Sequence, residues 1–183
     1  VIHVVADEAT VAGHSQAPGY LLGTGTLISA EMVAELAAAA RRRPLIDPLT
    51  VGSEARYRPS RGLADFVRAR DLTCRAPGCD RQATLCDIDH TIPYPAGPTH
   101  PGNLKCLCRL HHLLKTFWGW QDQQLPDGTV IWRLPGGLTY ITTPGSALLF
   151  PHLATPTPPR HRSGHVNPEP GGDRTTMMPT RRR

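Results

Sequence analysis

Apolar positions three and four apart mark two helices in the first half of the chain. Ser29 precedes Met32, Val33, Leu36, Ala39 and Ala40, which form one apolar stripe. Glu31 lies in the first turn, Arg41–Arg43 follow the stripe and Pro44 comes next. These start and stop signals predict a capped helix over Ala30–Arg43. Ser60, after Pro59, opens a second helix to about Arg70. Its buried face carries Leu63, Phe66 and Val67, while Arg61 and Arg68, seven apart, share another side. Residues 1–6 (VIHVVA) read as the end of a strand whose partners lie outside the segment. Residues 13–28, rich in Gly, Pro, Ser and Thr, read as loop, and 44–58 as a linker.

The second half predicts a short strand at Leu85–His90, a Pro/Gly-rich loop over Pro93–Gly102 and a helix from about Leu107 to Phe117. The period then changes to two. Trp118–Gln123, Thr129–Leu134 and Leu138–Thr142 read as strands, separated by Asp127-Gly128 and Gly136-Gly137, pairs that suit tight hairpin turns. The fold class is therefore α+β, with helices ahead of a short β-meander. Residues 151–183 hold seven Pro and six Arg among few aliphatics. They bury too little to offset the cost of ordering, which predicts a disordered tail.

Charge modifies this picture in one place. The net +5 is mostly the tail, where six Arg face Glu169 and Asp173; residues 1–150 hold 14 basic and 13 acidic side chains. The folded part is thus no broad basic platform. The exception is Arg56, Arg58, Arg61, Arg68, Arg70, Arg75 and Arg81, a block set against only Asp65, Asp71 and Asp80. No apolar run is long enough to span a membrane and no secretion signal is visible, which predicts a cytoplasmic protein. A first residue of Val rather than Met predicts a segment of a longer chain. There is no internal repeat.

All five Cys fall between positions 74 and 108, with His nearby. An odd, clustered set favours metal binding in a reducing compartment over a disulfide framework. Cys74-x4-Cys79 and Cys108-x2-His111 form two ligand pairs of the kind that meet on a tetrahedral zinc. Pro77-Gly78 supplies the turn in the first pair. The second sits at a helix start, where an i, i+3 spacing puts both side chains on one face. Cys106 could replace Cys108, and Cys86 is also near, but only Cys108 gives the Cys-x-x-His spacing; the other two read as small core residues.

The remaining polar set is Asp89, His90, Asn103 and His112. A neutral imidazole suits a base that takes a proton from water. A carboxylate and a second imidazole suit a divalent cation. Neighbours in a strand point to opposite faces, so Asp89 and His90 need a strand end or bend to converge. His111 and His112 project about 100° apart on a helix, which lets one face the zinc and the other a second site. His100 reads as a surface residue, and Asn103 suits a helix cap.

These residues carry a resemblance. DIDH…GPTHPGNLKCLCRLHHLLK resembles the HNH endonuclease signature of the zinc-stapled kind. The stretch from YRPSRGLADFVRARDLTCRAPGC through PDGTVIW is similar to the C-terminal region of the actinobacterial 13E12-repeat family of HNH proteins. The resemblance implies a ββα-metal fold over 55–150, preceded in 1–54 by the end of a helical region of unknown function. It implies that His90 is the general base and that Asp89 and His112 hold a catalytic Mg²⁺, Mn²⁺, Ni²⁺ or Zn²⁺. Asn103 would orient the His90 loop or bind the metal. The implied activity is metal-dependent hydrolysis of DNA, with Arg61, Arg68 and Lys115 as candidate phosphate contacts. A noncatalytic zinc module that binds nucleic acid or protein is the competing expectation. Oligomeric state, DNA site and cleavage pattern are not written in the chain.

Overall fold

The computed structural model describes residues 2–154. The expected disorder of the tail from 155 onward lies outside the described residues. Among those described, four α-helices and three small antiparallel sheets make a mixed α+β fold. No helix among them is long and apolar enough to cross a membrane.

The first sheet joins β1 (Val4–Val5), β2 (Gly19–Leu21) and β3 (Thr26–Ile28), with the short helix α1 (Glu8–Val11) between β1 and β2. Two expectations are corrected here. β1 finds its partner within the segment, Val4 opposite Leu21, and the stretch read as loop contains a hairpin. Composition hid the hairpin because its support is tertiary. Helix α2 (Ala30–Ala39) lies so close that a Cβ on Gly19 would stand 2.5 Å from the Val33 side chain.

Helix α2 is also shorter than its pattern predicted. Ser29 caps it, accepting from Met32 N at 3.3 Å, but Ala40 is already extended and Arg41–Arg43 lie outside. Only Ala30 and Val33 are buried; Met32 and Leu36 are exposed, so most of the predicted stripe has no core to face.

Helix α3 (Arg61–Asp71) starts at the predicted cap, with Ser60 Oγ accepting from Leu63 N at 3.3 Å. It buries Leu63, Phe66 and Val67 as expected. It stops in an unforeseen way. Leu72 takes φ 57°, and Thr73 N donates to Asp71 O at 2.6 Å, a tight three-residue turn that is strained for a branched side chain. Burial of Leu72 holds it there and swings the chain toward Cys74.

Strands β4 (Cys86–His90) and β5 (Leu104–Cys108) form the second sheet, and α4 (Arg109–Phe117) follows β5 directly. The residues predicted to open the helix from Leu107 are thus the end of a strand. β5 is buried at every position and pairs with β4 in the register Asp89 opposite Lys105, His90 opposite Leu104. The third sheet is the predicted meander, β6 (Gln121–Gln124), β7 (Val130–Arg133) and β8 (Thr139–Thr142). Its turns use positive φ at Gly128, Gly136 and Gly137.

One core unites these parts. Val5, Tyr20 and Leu22 pack with Leu63, Phe66, Leu104, Leu107, Val130, Trp132, Phe150 and Leu153. Contacts therefore cross position 54/55, where Glu54 N also donates to Thr99 O at 2.9 Å. They cross 150/151 as well. Pro151–Ala154 forms a short 3-10 turn that buries Leu153, so this part of the predicted tail is ordered.

Candidate metal and catalytic site

Asp71 organises the ground on which the site stands. Its buried carboxylate accepts from Arg70 Nε at 2.8 Å and from Cys106 N at 2.7 Å. Arg70 continues to the carbonyls of Pro101 (2.8 Å) and Leu104 (2.7 Å). Arg75 reaches the carbonyls of Thr142, Thr143 and Gly128, and Trp132 Nε1 donates to Arg75 O at 2.9 Å. These bonds tie α3, β5 and the meander together. They correct the picture of a surface block from Arg56 to Arg81, because Arg70 and Arg75 are interior cations that hold backbone carbonyls. Arg61 stays exposed and pairs with Asp65 at 3.8 Å; Arg68 is partly exposed on the same helix.

The first cluster is the predicted metal set. The ligand atoms of Cys74, Cys79, Cys108 and His111 all lie within 4.8 Å of one another, and every thiol among them is free. Cys74 and Cys79 flank a turn in which Gly78 takes φ 68° and Cys79 N donates to Ala76 O at 3.2 Å. Cys108 ends β5 and caps α4; His111 sits in the first turn of α4. His111 Nδ1 is 3.2 Å from Cys108 Sγ and 3.6 Å from Cys74 Sγ. Tetrahedral zinc sets S···N at about 3.6 Å, so the donor set fits such an ion with little movement. Cys106 and Cys86 lie outside this set and are buried.

Burial shapes the chemistry of these groups. A hydrogen bond with Cys86, together with burial, pushes the Cys74 thiol well up, and burial pushes Cys79 up to about 12. Burial pushes His111 down, so its ring is neutral and ready to ligate. The four residues can hold a metal, and a cation there would let the thiols ionise.

The second cluster lies on the other side of α4. Asp87 and Asp89, two apart on β4, both meet His112. His112 Nδ1 is 2.9 Å from Asp87 Oδ2, and His112 Nε2 is 3.4 Å from Asp89 Oδ1. His112 can donate Nδ1–H to Asp87, which turns its Nε2 toward the Asp89 carboxylate oxygen. In that tautomer, two acceptors at that separation need a cation or a proton between them. Two metal bonds of about 2.1 Å span about 3.0–3.4 Å depending on their angle.

The other Asp89 oxygen is already occupied. Oδ2 receives Lys105 Nζ at 2.7 Å and Lys115 Nζ at 2.6 Å, and Asp122 of β6 pairs with both lysines. Burial alone would raise Asp89, yet the two ammonium groups hold it below the usual carboxylate range. Burial also lowers Lys115, whereas Asp89 and Asp122 keep fully buried Lys105 raised. Lys115 also donates to His90 O. Its side chain is thus engaged inside the cluster rather than extended toward solvent.

His90 ends β4, and its ring is stacked on Tyr57 at 5.4 Å and 16°. Its Nε2 is 2.9 Å from Thr99 Oγ1, which itself donates to Arg56 O. A hydroxyl has one proton, so Thr99 accepts from Nε2–H and leaves Nδ1 as the basic nitrogen. Burial, then Lys105 and Lys115, lower His90 and outweigh Asp89.

Asn103 commits both ends of its amide. Oδ1 accepts from Ile92 N at 2.8 Å, while Nδ2 donates to the carbonyls of Ile92 and Pro98, each at 2.9 Å. It latches the 91–103 loop behind His90, which favours the orienting alternative over metal ligation. Gly97 gives the amide room, since a Cβ there would lie 2.6 Å from Nδ2. His100 is corrected from surface to interior; its Nδ1 accepts from Gly102 N at 3.1 Å.

Sequence reasoning missed Asp87, Thr99, Tyr57, Lys105 and Asp122. Asp87-x-Asp89 was open to reading as one face of a strand. The others required the strand register and the return of the 54–60 segment onto the loop.

The comparisons with known proteins place the chain among uncharacterized relatives. Residues 1–71 match a family described as a domain of unknown function (DUF222). That match takes in Tyr57 and ends with α3, ahead of Cys74. The uncharacterized protein Rv3776 of Mycobacterium tuberculosis is 51% identical over 187 residues, 98% of this chain and 35% of its own. The uncharacterized protein Rv2100 of Mycobacterium tuberculosis is 53% identical over 174 residues, 92% and 31% respectively. The chain thus spans about a third of the length of the curated relatives it matches. No solved structure matches it.

Proposed function

We propose that β4, β5 and α4 form a ββα-metal unit of the HNH kind, and that the protein is a metal-dependent DNA endonuclease. The observation that carries this reading is the facing pair His112 Nε2 and Asp89 Oδ1, 3.4 Å apart, a separation that two bonds to one divalent ion would span. It is supported by the resemblance to HNH and 13E12-repeat proteins and by the assignment of His90 Nδ1 as a free base.

His90 takes a proton from water as the water oxygen attacks phosphorus, and its lowered pKa keeps it neutral for that task. Thr99 and the Arg56 carbonyl fix its tautomer, and Asn103 fixes the loop. A divalent ion held by Asp89 and His112 supplies, when bound, positive charge for the phosphate and leaving oxygen. Cys74, Cys79, Cys108 and His111 would hold zinc, which would staple the start of α4 and so help fix where His112 points. Arg61 and Arg68 are the phosphate contacts that stay open to solvent. Free thiols suit a reducing, cytoplasmic setting.

A plasmid-nicking assay with Mg²⁺, Mn²⁺, Ni²⁺ or Zn²⁺ tests the reading. Wild type should nick, and His90→Ala should lose on the order of 10²-fold or more in rate. Equal background in both proteins with every ion sinks it. The alternative, a noncatalytic zinc module, is favoured by one observation: Lys105 and Lys115 already neutralise Asp89.

A further inference from the structure

Three rings gather at the edge of the candidate site. Tyr57 stacks on His90, and Tyr94 meets both, 6.0 Å from Tyr57 and 6.1 Å from His90. His90 is buried beneath them, yet Tyr57 is 59% exposed and Tyr94 38%. The exposed face of Tyr57 is therefore free while its other face lies on the candidate base.

The backbone that carries the Tyr57 ring is tied down. Glu54 N donates to Thr99 O at 2.9 Å, Thr99 Oγ1 donates to Arg56 O, and Ser60 N donates to Glu54 Oε2 at 2.7 Å. These bonds pin the backbone on both sides of Tyr57 to the catalytic loop and to the cap of α3. A preordered ring loses little freedom on binding. Arg58 and Arg56, the latter paired with Glu54 at 3.2 Å, flank it at exposed positions within reach of a phosphate backbone.

Resting on the endonuclease reading, we infer that Tyr57, with the edge of Tyr94, is a stacking platform for one unpaired nucleobase beside the scissile phosphate. Bases inside a duplex have both faces covered by neighbours. A ring held out at the reaction centre can gain a stacking partner only from a base that has left the stack. The substrate class is therefore single-stranded or locally unpaired DNA. Base stacking on an aromatic ring tolerates any sequence, so the platform selects strand state rather than base identity.

The test is equilibrium binding by fluorescence anisotropy, using the full zinc-loaded chain without added divalent ion. The probes are a short labelled single-stranded oligonucleotide and its duplex. Wild type should prefer the single strand. Tyr57→Leu should weaken single-strand binding roughly tenfold and leave duplex binding within twofold, while Tyr57→Phe keeps wild-type affinity. Matching melting curves for the Leu and Phe variants separate lost stacking from lost folding. Equal losses on both probes, or Tyr57→Leu binding like wild type, overturn the platform. An RNA oligonucleotide that binds tighter than DNA in a Tyr57-dependent way overturns DNA as the source of the base. Nicking is scored apart. Wild type that never nicks sinks the endonuclease reading without altering the binding result, and Tyr57-independent binding by a nicking protein sinks the platform alone.

Discussion

His111 and His112 are adjacent on α4, yet their rings belong to different clusters. His111 Nδ1 lies 3.2 Å from Cys108 Sγ, and His112 Nδ1 lies 2.9 Å from Asp87 Oδ2. The 100° step of the helix makes this split possible, and it makes the two residues separable by mutation.

His111→Ala should abolish stoichiometric zinc and lower the melting midpoint by roughly 10 °C, as a lost staple of about 3–4 kcal/mol would in a domain this size. His112→Ala should keep zinc at one ion per chain and melt within a few degrees of wild type. Zinc by mass spectrometry and a thermal scan read both. Zinc loss in the His112 variant, or retention in the His111 variant, reverses the assignment.

Asp87→Asn should weaken Mn²⁺ binding at the second cluster by about 10- to 100-fold, because the Asp87 carboxylate, 2.9 Å from Nδ1, orients the His112 ring. Titration calorimetry on zinc-loaded protein measures this. Bound zinc should be unchanged. Wild-type Mn²⁺ affinity in the variant removes Asp87 from the site.

His90 should titrate below its ordinary value of 6.5, since burial disfavours the imidazolium. The unfolded chain binds the proton first, so the stability tied to neutral His90 is complete above 6.5 and is lost as pH falls from 6.5 through the lower folded pKa. The acid limb of kcat/KM should have its midpoint in that same window, with a plateau at neutral pH. NMR titration of the ring and a pH–rate profile check it; a midpoint above 6.5 contradicts the burial argument.

Lys105→Met should cost roughly 3 kcal/mol, because it leaves the buried carboxylates of Asp89 and Asp122 sharing Lys115 alone. Lys115→Met should cost less, since that side chain is partly open to solvent. Urea denaturation ranks the pair. The opposite ranking would place the weight of the charge cluster on α4 instead of β5.

The candidate metal-holding cysteines were legible in the chain because short-range geometry fixes them. A Pro-Gly turn brings Cys74 to Cys79, and one helical turn brings Cys108 to His111; only the meeting of the two pairs needed the fold. Ser29 and Ser60 were legible as caps for the same reason. The meander showed in its period and its glycines. The extent of α2 was not legible, because an apolar stripe says nothing about whether a core lies opposite, and Met32 and Leu36 have none.

The sequence by itself determined the local pieces: capped helices, ligand pairs, hairpin turns and the order Asp89, His90, Asn103, His112. Tertiary structure alone decided that Arg70 and Arg75 are interior, that Lys105 lies under Asp89, that His100 is buried and that Tyr57 covers His90. The reason is physical. Turns and caps are set by neighbours within a few residues, whereas the partner of a buried charge is set by strand register and by which distant segment folds back. In this chain the β4–β5 register and the return of residues 54–60 onto the 91–103 loop turn a row of polar residues into a site.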